Sequence, residues 1–358
     1  MYKRITLACS VITYGGVGKI ISFVASSLLS EGWQVELLSL RNEKRPSFLN
    51  HNVSFSSINE GKTRNKIIWR LELISNIRKE IKMKGTRTIC TFGSEPSVMV
   101  RLASLGMKNV TVISAERSDP YTLPKFWKIM SSWAYRNSDY CVFQLEKQRD
   151  FYGAKVKNKS FVIPNAFIPK GEERVTTERR KVIVSAGRFV YQKGYDTLIR
   201  AFDIVNQAHP DYTLELYGGG DDQPLYESII EENNLKGKVK LFGYVNNISE
   251  VISDSSVFVL SSRFEGIPNV LIEAMSVGVP TVATDCTPGG PAFLTDNGKR
   301  GLLVPVDDVA AMAKAINRII EDSELSEHFS ASGREICAIL DKDKIARQWI
   351  EMFNIIVN

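Results

Sequence analysis

The sequence predicts two doubly wound α/β domains in tandem. Short apolar runs alternate with amphipathic stretches from end to end, which implies parallel sheets with helices on both faces. The alternation breaks once, at the polar, two-proline segment Pro164 to Glu178, and then restarts. A chain of 358 residues is long enough for two domains of about 150 residues each.

In chain order, strands are expected at Ile5–Val11, Val35–Leu40, Thr88–Phe92, Val110–Ser114, Tyr140–Phe143 and Ser160–Ile163. Helices are expected between them, at Val17–Ser30, which Gly32 ends, and at Ile67–Lys84. After the polar segment come a strand at Val182–Ala186, a helix at Tyr195–Ala208 and strands at Thr213–Tyr217, Val257–Leu260 and Thr281–Ala283. A helix at Asn269–Val277 precedes the last of these, with Gly278 as its stop and Pro280 beyond it. The chain closes in helical sequence from Asp341 to about Ile355. In such sheets ligands bind at the carboxyl ends of strands, at the topological switch point, and with two domains the cleft between them is the expected site.

Composition narrows the class. Five scattered cysteines, Cys9, Cys90, Cys141, Cys286 and Cys337, read as reduced thiols of a cytosolic protein. No Cys-x-x-Cys occurs and the three histidines lie far apart, so no metal site is expected. Ile5 to Val11 is too short for a signal core, and no run reaches the roughly 20 apolar residues that span a bilayer. The net charge of +6 hides an asymmetry. Residues 1–170 hold 27 Lys and Arg against 12 Asp and Glu, whereas residues 171–358 hold 19 against 28. The basic half is densest at Lys62 to Arg87, a face that suits an anionic membrane or nucleic acid, or simply a solvated helix.

Four constellations carry chemistry. Tyr14-Gly15-Gly16-Val17-Gly18-Lys19 follows the first strand and opens a helix, where glycines let amides approach an anion. It has neither the dinucleotide fingerprint nor phosphate-loop spacing, so a plain tight turn competes with it. Gly187-Arg188-Phe189 and Gln192-Lys193-Gly194 place two cations at a strand end before a helix, an arrangement suited to a diphosphate. Gly218-Gly219-Gly220-Asp221 is a further close-approach loop. The sharpest is the run from Ser261 to Met275. Glu265 lies in its loop, Pro268 stands at a helix start, and the amides of Asn269 to Leu271 are expected to be open to a ligand. Glu273 falls one turn beyond Asn269 on the same face, so two carboxylates can address one cleft and accept hydrogen bonds from sugar diols. The residues alone equally allow a helix-capping Glu265 and a solvated Glu273.

Glu265 to Glu273 resembles the Glu-x7-Glu motif of retaining GT-B glycosyltransferases, and EGIPNVLIEAMSVGVPTVATDC resembles glycosyltransferase family 4 in particular. GRFVYQKGYDTLIRAF, LYGGGDD and LFGYV follow that family's order, as do the early GGVG loop and IPNAF at 163–167. The likeness covers essentially the whole chain and is strongest over 181–310. It implies a GT-B fold, two Rossmann-like domains facing a central cleft: residues 1–168 bind the acceptor, 169–340 the donor, and 341–358 form a helix crossing back. It also implies a retaining, metal-independent hexosyl- or N-acetylhexosaminyltransferase with no cofactor beyond its UDP-sugar substrate. Arg188 and Lys193 would hold the diphosphate, Glu273 the ribose and Glu265 the transferred sugar. The backbone of Gly266, Ile267, Pro268, Asn269 and Val270 would touch that sugar, that of Gly15, Gly16 and Gly18 the distal phosphate, and that of Gly219, Tyr244 and Val245 the rest of the nucleotide.

Two departures matter. Members often carry a His after the strand ending here at Ser114; this chain has Ala115-Glu116-Arg117-Ser118-Asp119-Pro120, similar to a Ser-Glu-Arg version found in bacterial polysaccharide assembly. Arg117 then reaches the donor or pairs with Glu116. In CTPGGPAF, Phe293 stands where the similar pattern has Glu. Together these features resemble transferases that extend lipid-linked oligosaccharides for capsules, O-antigens or glycoproteins. The implied partners are a nucleotide-sugar donor and a glycan or polyprenyl-diphosphate acceptor, with no nucleic acid. The implied place is the cytoplasm, in peripheral contact with the inner membrane, where Pro124-Lys125-Phe126-Trp127-Lys128 with Trp133 is either an aromatic anchor or a core-facing helix. A non-catalytic nucleotide-sugar-binding module and a GT-B epimerase or phosphorylase are the alternatives.

Overall fold

The computed structural model describes residues 3–12, 16–58, 65–169 and 178–357. The chain divides into two compact units, Met1–Ala166 with Lys342–Asn358, and Phe167–Asp341.

The first unit is built on a seven-stranded sheet of β1 (Arg4–Cys9), β2 (Gln34–Ser39), β3 (Ser54–Ser57), β4 (Thr88–Phe92), β5 (Thr111–Ala115), β6 (Tyr140–Phe143) and β7 (Ser160–Val162). Its order is β3-β2-β1-β4-β5-β6-β7, with every pairing parallel. Strands covered by helices on both faces lose the alternation of a half-exposed sheet, and all five residues of β4 are buried. The second unit holds six parallel strands, β8 (Arg180–Ala186), β9 (Thr213–Tyr217), β10 (Val239–Phe242), β11 (Ser255–Leu260), β12 (Thr281–Thr284) and β13 (Leu302–Val304). Their order is β10-β9-β8-β11-β12-β13. Both sheets reverse winding beside their first strand, between β1 and β4 and between β8 and β11.

β3, β10 and β13 were not among the expected strands. β3 reads Ser-Phe-Ser-Ser, half-buried, and all three are edge strands, where one-sided burial leaves a weak hydrophobic signal. β1 stops at Cys9 rather than Val11, and the first helix, Gly16–Ser30, begins one residue before the expected Val17 and so takes in Gly16. Gly15 lies outside the described residues.

The last helix, Lys342–Val357, belongs to the first unit and puts Ile345, Trp349, Met352 and Phe353 into its core. The Trp349 ring stacks on Phe92 at 5.8 Å. Cys9, Cys90, Cys141 and Cys286 are buried, and burial pushes the Cys9 and Cys141 thiols up to about 12. Among the described residues no helix is long and apolar enough to cross a membrane. A hollow of about 550 Å3 in the first unit opens beside Arg4, Trp33, Gln34 and Lys84, at the amino ends of β1 and β2. That is the opposite end from where ligands of such sheets bind.

Candidate active site

The loops after β8 and β11 leave the second sheet at its switch point, and they are bonded to each other. Arg263 N donates to Gln192 O at 2.8 Å, Gln192 Nε2 to Phe264 O at 2.9 Å and Ser261 Oγ to Lys193 O at 2.7 Å. The link is tight because Gly194, at φ +61°, lies against the β11 loop. A Cβ there would stand 2.2 Å from Ser261 O.

Within this frame Lys193 Nζ meets Glu265 Oε1 at 2.6 Å, with both side chains largely buried. Ser262 Oγ donates to the same oxygen at 3.0 Å. Gly187 makes room for the lysine, since a Cβ at that position would come within 2.9 Å of Lys193 Cε. Glu265 is therefore no helix cap, and Lys193 is not a bare cation. One of the two positive charges expected to face a diphosphate is already matched by Glu265. Arg188, by contrast, is exposed at the end of β8. An ammonium has three donors, so Lys193 can keep Glu265 and still offer N–H groups to a ligand.

The helix Asn269–Ser276 follows, with Pro268 as its N-cap. Leu271 N donates to Pro268 O at 3.1 Å, so the amide of Leu271 is not open, contrary to expectation. The first turn still aims its N-terminal dipole past Asn269 and Val270. Glu273 is half-buried on this helix, and Ile267 and Pro268 are buried. Gly290 seats this turn: a Cβ there would lie 1.5 Å from Gly266 O. Gly290→Ala must push the Gly266–Asn269 segment away. We expect a loss of about 1–3 kcal/mol in urea-unfolding stability, as for overpacked sites, together with weaker ligand binding.

The glycine loop after β9 packs backbone on backbone against the β8 loop. Phe189 N donates to Gly219 O at 2.9 Å and Asp222 N to Phe189 O at 3.0 Å. Tyr244, exposed beyond β10 together with Val245, covers Gly219 and donates its hydroxyl to Gly219 O at 2.7 Å. Gly219 and Tyr244 are thus brought together.

Sequence reasoning assigned no role to Arg263, which holds the site loop in place. Its Nη2 meets Asp196 at 2.7 Å, its Nε meets Asp307 at 2.9 Å, Nη1 donates to Tyr191 O at 2.7 Å, and the guanidinium lies 4.2 Å from the centre of the Tyr191 ring. No local spacing announces this, because the partners come from three separate segments.

In the first unit Gly16 and Gly18 open the helix after β1, and Arg117 follows β5. Arg117 does not pair with Glu116. The Glu116 carboxylate is filled by six donors: Ser94 Oγ, Tyr135 and Tyr152 hydroxyls on Oε2, and Arg117 N, Ser118 N and Ser118 Oγ on Oε1. The Arg117 guanidinium instead lies over Trp349 at 4.9 Å and Phe92 at 5.7 Å, with one bond from Nη1 to Ile163 O at 3.3 Å. Its Nε and Nη2 are shut off from solvent without an acceptor among the described residues. Burial, which disfavours its charge, brings Arg117 down to about 10 against the pull of Cys90, Tyr135 and Glu116. Two buried donors without acceptors call for a ligand or an ordered water.

Two parallel doubly wound sheets, with a buried Lys–Glu pair and a helix start at the second switch point, are the architecture of the GT-B fold. The profile of the family "Glycosyl transferases group 1" matches residues 170–336, the unit that carries this pair. Among curated proteins the chain is 22% identical over 357 residues to a Campylobacter jejuni enzyme, covering 98% of each chain. That relative is the GalNAc-alpha-(1->4)-GalNAc-alpha-(1->3)-diNAcBac-PP-undecaprenol alpha-1,4-N-acetyl-D-galactosaminyltransferase. Among solved structures the fold is similar to sucrose-phosphate synthase from Thermosynechococcus elongatus, at TM-score 0.83 and 20% identity over 99% of both chains. It is also similar to Anabaena HepE in complex with UDP, at TM-score 0.80 and 16% identity over 98% of this chain and 99% of that one.

Proposed function

We propose that the chain transfers a hexose or N-acetylhexosamine from a UDP-sugar to a glycan carried on a polyprenyl diphosphate, with retention at the anomeric carbon, in the assembly of bacterial surface polysaccharide or glycoconjugate. The Lys193–Glu265 pair at the switch point carries the reading, because it places a cation and a sugar-binding carboxylate within one bond of each other. The Campylobacter jejuni relative, named for transfer onto an undecaprenyl-diphosphate-linked glycan, supports the acceptor class; HepE, solved with UDP, supports the nucleotide.

Lys193 and Arg188 offset the charge that grows on the leaving UDP, without a metal. Gly15, Gly16, Gly18 and Arg117 serve the distal phosphate. Glu265 orients the transferred sugar beside the amides after Gly266, Ile267 and Pro268, near Asn269 and Val270. Glu273 takes the ribose diol, and Gly219, Tyr244 and Val245 frame the base. The bond from the anomeric carbon to the diphosphate breaks as the bond to the acceptor oxygen forms on the same face, and the acceptor's proton passes to the departing diphosphate. No protein nucleophile is required. The work is done at the cytoplasmic face of the inner membrane.

The test is thermal unfolding without metal in UDP, GDP, ADP, TDP, CMP or NAD. UDP at 100 times its dissociation constant should add about 2.7 kcal/mol. A shift with GDP or ADP alone would replace the donor, and no shift with any diphosphate would remove the Arg188 and Lys193 assignment. Proton NMR of the first product then reads the anomeric configuration.

A further inference from the structure

The helix Lys66–Met83 turns Leu73, Ile77 and Ile81 into the first unit and leaves a second set of apolar side chains outside. Ile67 is 69% exposed and Leu71, one turn on along the same face, 62%. The start of the helix Lys125–Asn137 adds Phe126 at 54% and Ile129 at 61%. Arg70 ties the two helix starts together, its guanidinium 5.9 Å from the Phe126 ring and 5.6 Å from that of Trp127. Isolated exposed apolar residues are ordinary, but four large ones on two adjoining helix starts form a patch.

Among the described residues, the exposed charged side chains on these two helices are all basic. Continuing the stripe of Ile67 and Leu71 leads to Lys82, with Lys79 beside it and Lys125 at the foot of the second helix, all exposed. Of the two acidic residues on the first helix, Glu80 is paired with Lys84 at 2.9 Å, and Glu72 is half-buried. A second copy of the chain would bring these lysines against each other across a self-complementary interface. An anionic bilayer answers both features, taking the apolar side chains below the headgroups and the lysines among them. Of the aromatic residues that the sequence suggested as an anchor, Phe126 is exposed, whereas Trp127 and Trp133 are half-buried and Trp127 packs against the core.

We infer that the outward face of Lys66–Met83, with the start of Lys125–Asn137, is the surface by which the first unit rests on an anionic lipid bilayer. The inference rests on the lipid-linked acceptor proposed above and names where the chain meets the membrane that would present it. The experiment is co-sedimentation of the full chain with vesicles of phosphatidylcholine, alone or mixed with phosphatidylglycerol. Wild type should bind the mixed vesicles and release as salt rises. The exposed double variant Ile67→Asp/Leu71→Asp should bind them at least about tenfold more weakly, with its thermal shift in UDP unchanged. Lys79→Glu/Lys82→Glu should lose the preference for phosphatidylglycerol. Mixed vesicles that hold the Asp variant as tightly as wild type would overturn the face while leaving the acceptor reading intact. Wild type that sediments with neither vesicle would overturn membrane contact here, and transfer to a short-tailed soluble acceptor then judges the acceptor separately. A change from dimer to monomer in the Asp variant, read by light scattering, would make the patch a self-interface and likewise overturn the inference.

Discussion

Replacing Lys193 by Ala lowers turnover by about 10²–10³-fold, about 3–4 kcal/mol of barrier, the usual cost of removing one preorganised donor from developing negative charge. The structure makes the outcome more specific than a lost cation. Lys193 and Glu265 are largely buried and 2.6 Å apart, so removing the lysine leaves a carboxylate with Ser262 as its remaining side-chain donor among the described residues. Breaking such a pair from one side destabilises because the surviving charge has lost its counter-charge and is still cut off from water. Lys193→Ala should therefore lose both turnover and stability, as Glu265→Ala should from the other side. The double variant Lys193→Met/Glu265→Gln leaves no unmatched charge. It should regain most of the urea-unfolding midpoint while staying at least about a hundredfold slow. A double variant that recovered both would mean that the pair is only structural, and the diphosphate would have to be held elsewhere. Glu273→Ala should reduce donor affinity with little effect on stability, since Glu273 is only half-buried.

Arg117→Ala should lower kcat/KM by about a hundredfold on the role proposed for it, since it removes two shielded N–H groups that have no acceptor among the described residues. Arg117→Lys keeps a charge but not the fork, and should restore only part of the loss. The pH profile separates this role from a packing role. Arg117 is charged below about 10 and neutral above it, so the rate of the wild type should fall as pH rises through that value, and the limb should vanish in Arg117→Ala. The contribution of Arg117 to stability moves the other way: its folded-state value lies below the ordinary one, so above about 10 the unfolded chain holds more protons at this group and its contribution rises with pH. The buried thiols and tyrosines whose values are raised lower the stability of the whole fold over the same range, so the contribution is read as the difference in urea-unfolding stability between wild type and Arg117→Ala. An activity limb present in wild type and absent in Arg117→Ala identifies a lost charge rather than unfolding. The last helix takes part, because Trp349 lies 4.9 Å from the guanidinium carbon. Trp349→Phe keeps a ring there and should cost little, whereas in Trp349→Leu a further Arg117→Ala should add less than it does in the wild type.

The sequence by itself determined the alternation of strand and helix and the restart that makes two units, because each rests on local chemistry. Apolar runs bounded by glycine and proline read as buried parallel strands whatever lies around them, and Tyr195–Ala208 and Thr213–Tyr217 stand where the pattern put them. A helix start with proline and a flanking carboxylate is likewise a local feature. Edge strands such as Ser54–Ser57 escaped, since a strand half-covered and written in serine carries no hydrophobic period. The pairings were decided by tertiary structure alone. Lys193 and Glu265 are 72 positions apart, and nothing in the spacing says whether a lysine will face a ligand bare or already matched. Arg117 offered a choice between Glu116 and a ligand. Ser94, Tyr135 and Tyr152 from other elements, with three donors from the adjoining Arg117 and Ser118, settled it by saturating Glu116, while Trp349, arriving from the far end of the chain, took the guanidinium. Electrostatic energy depends on distance and on exclusion of water, and both are set only when strands distant in sequence have come together.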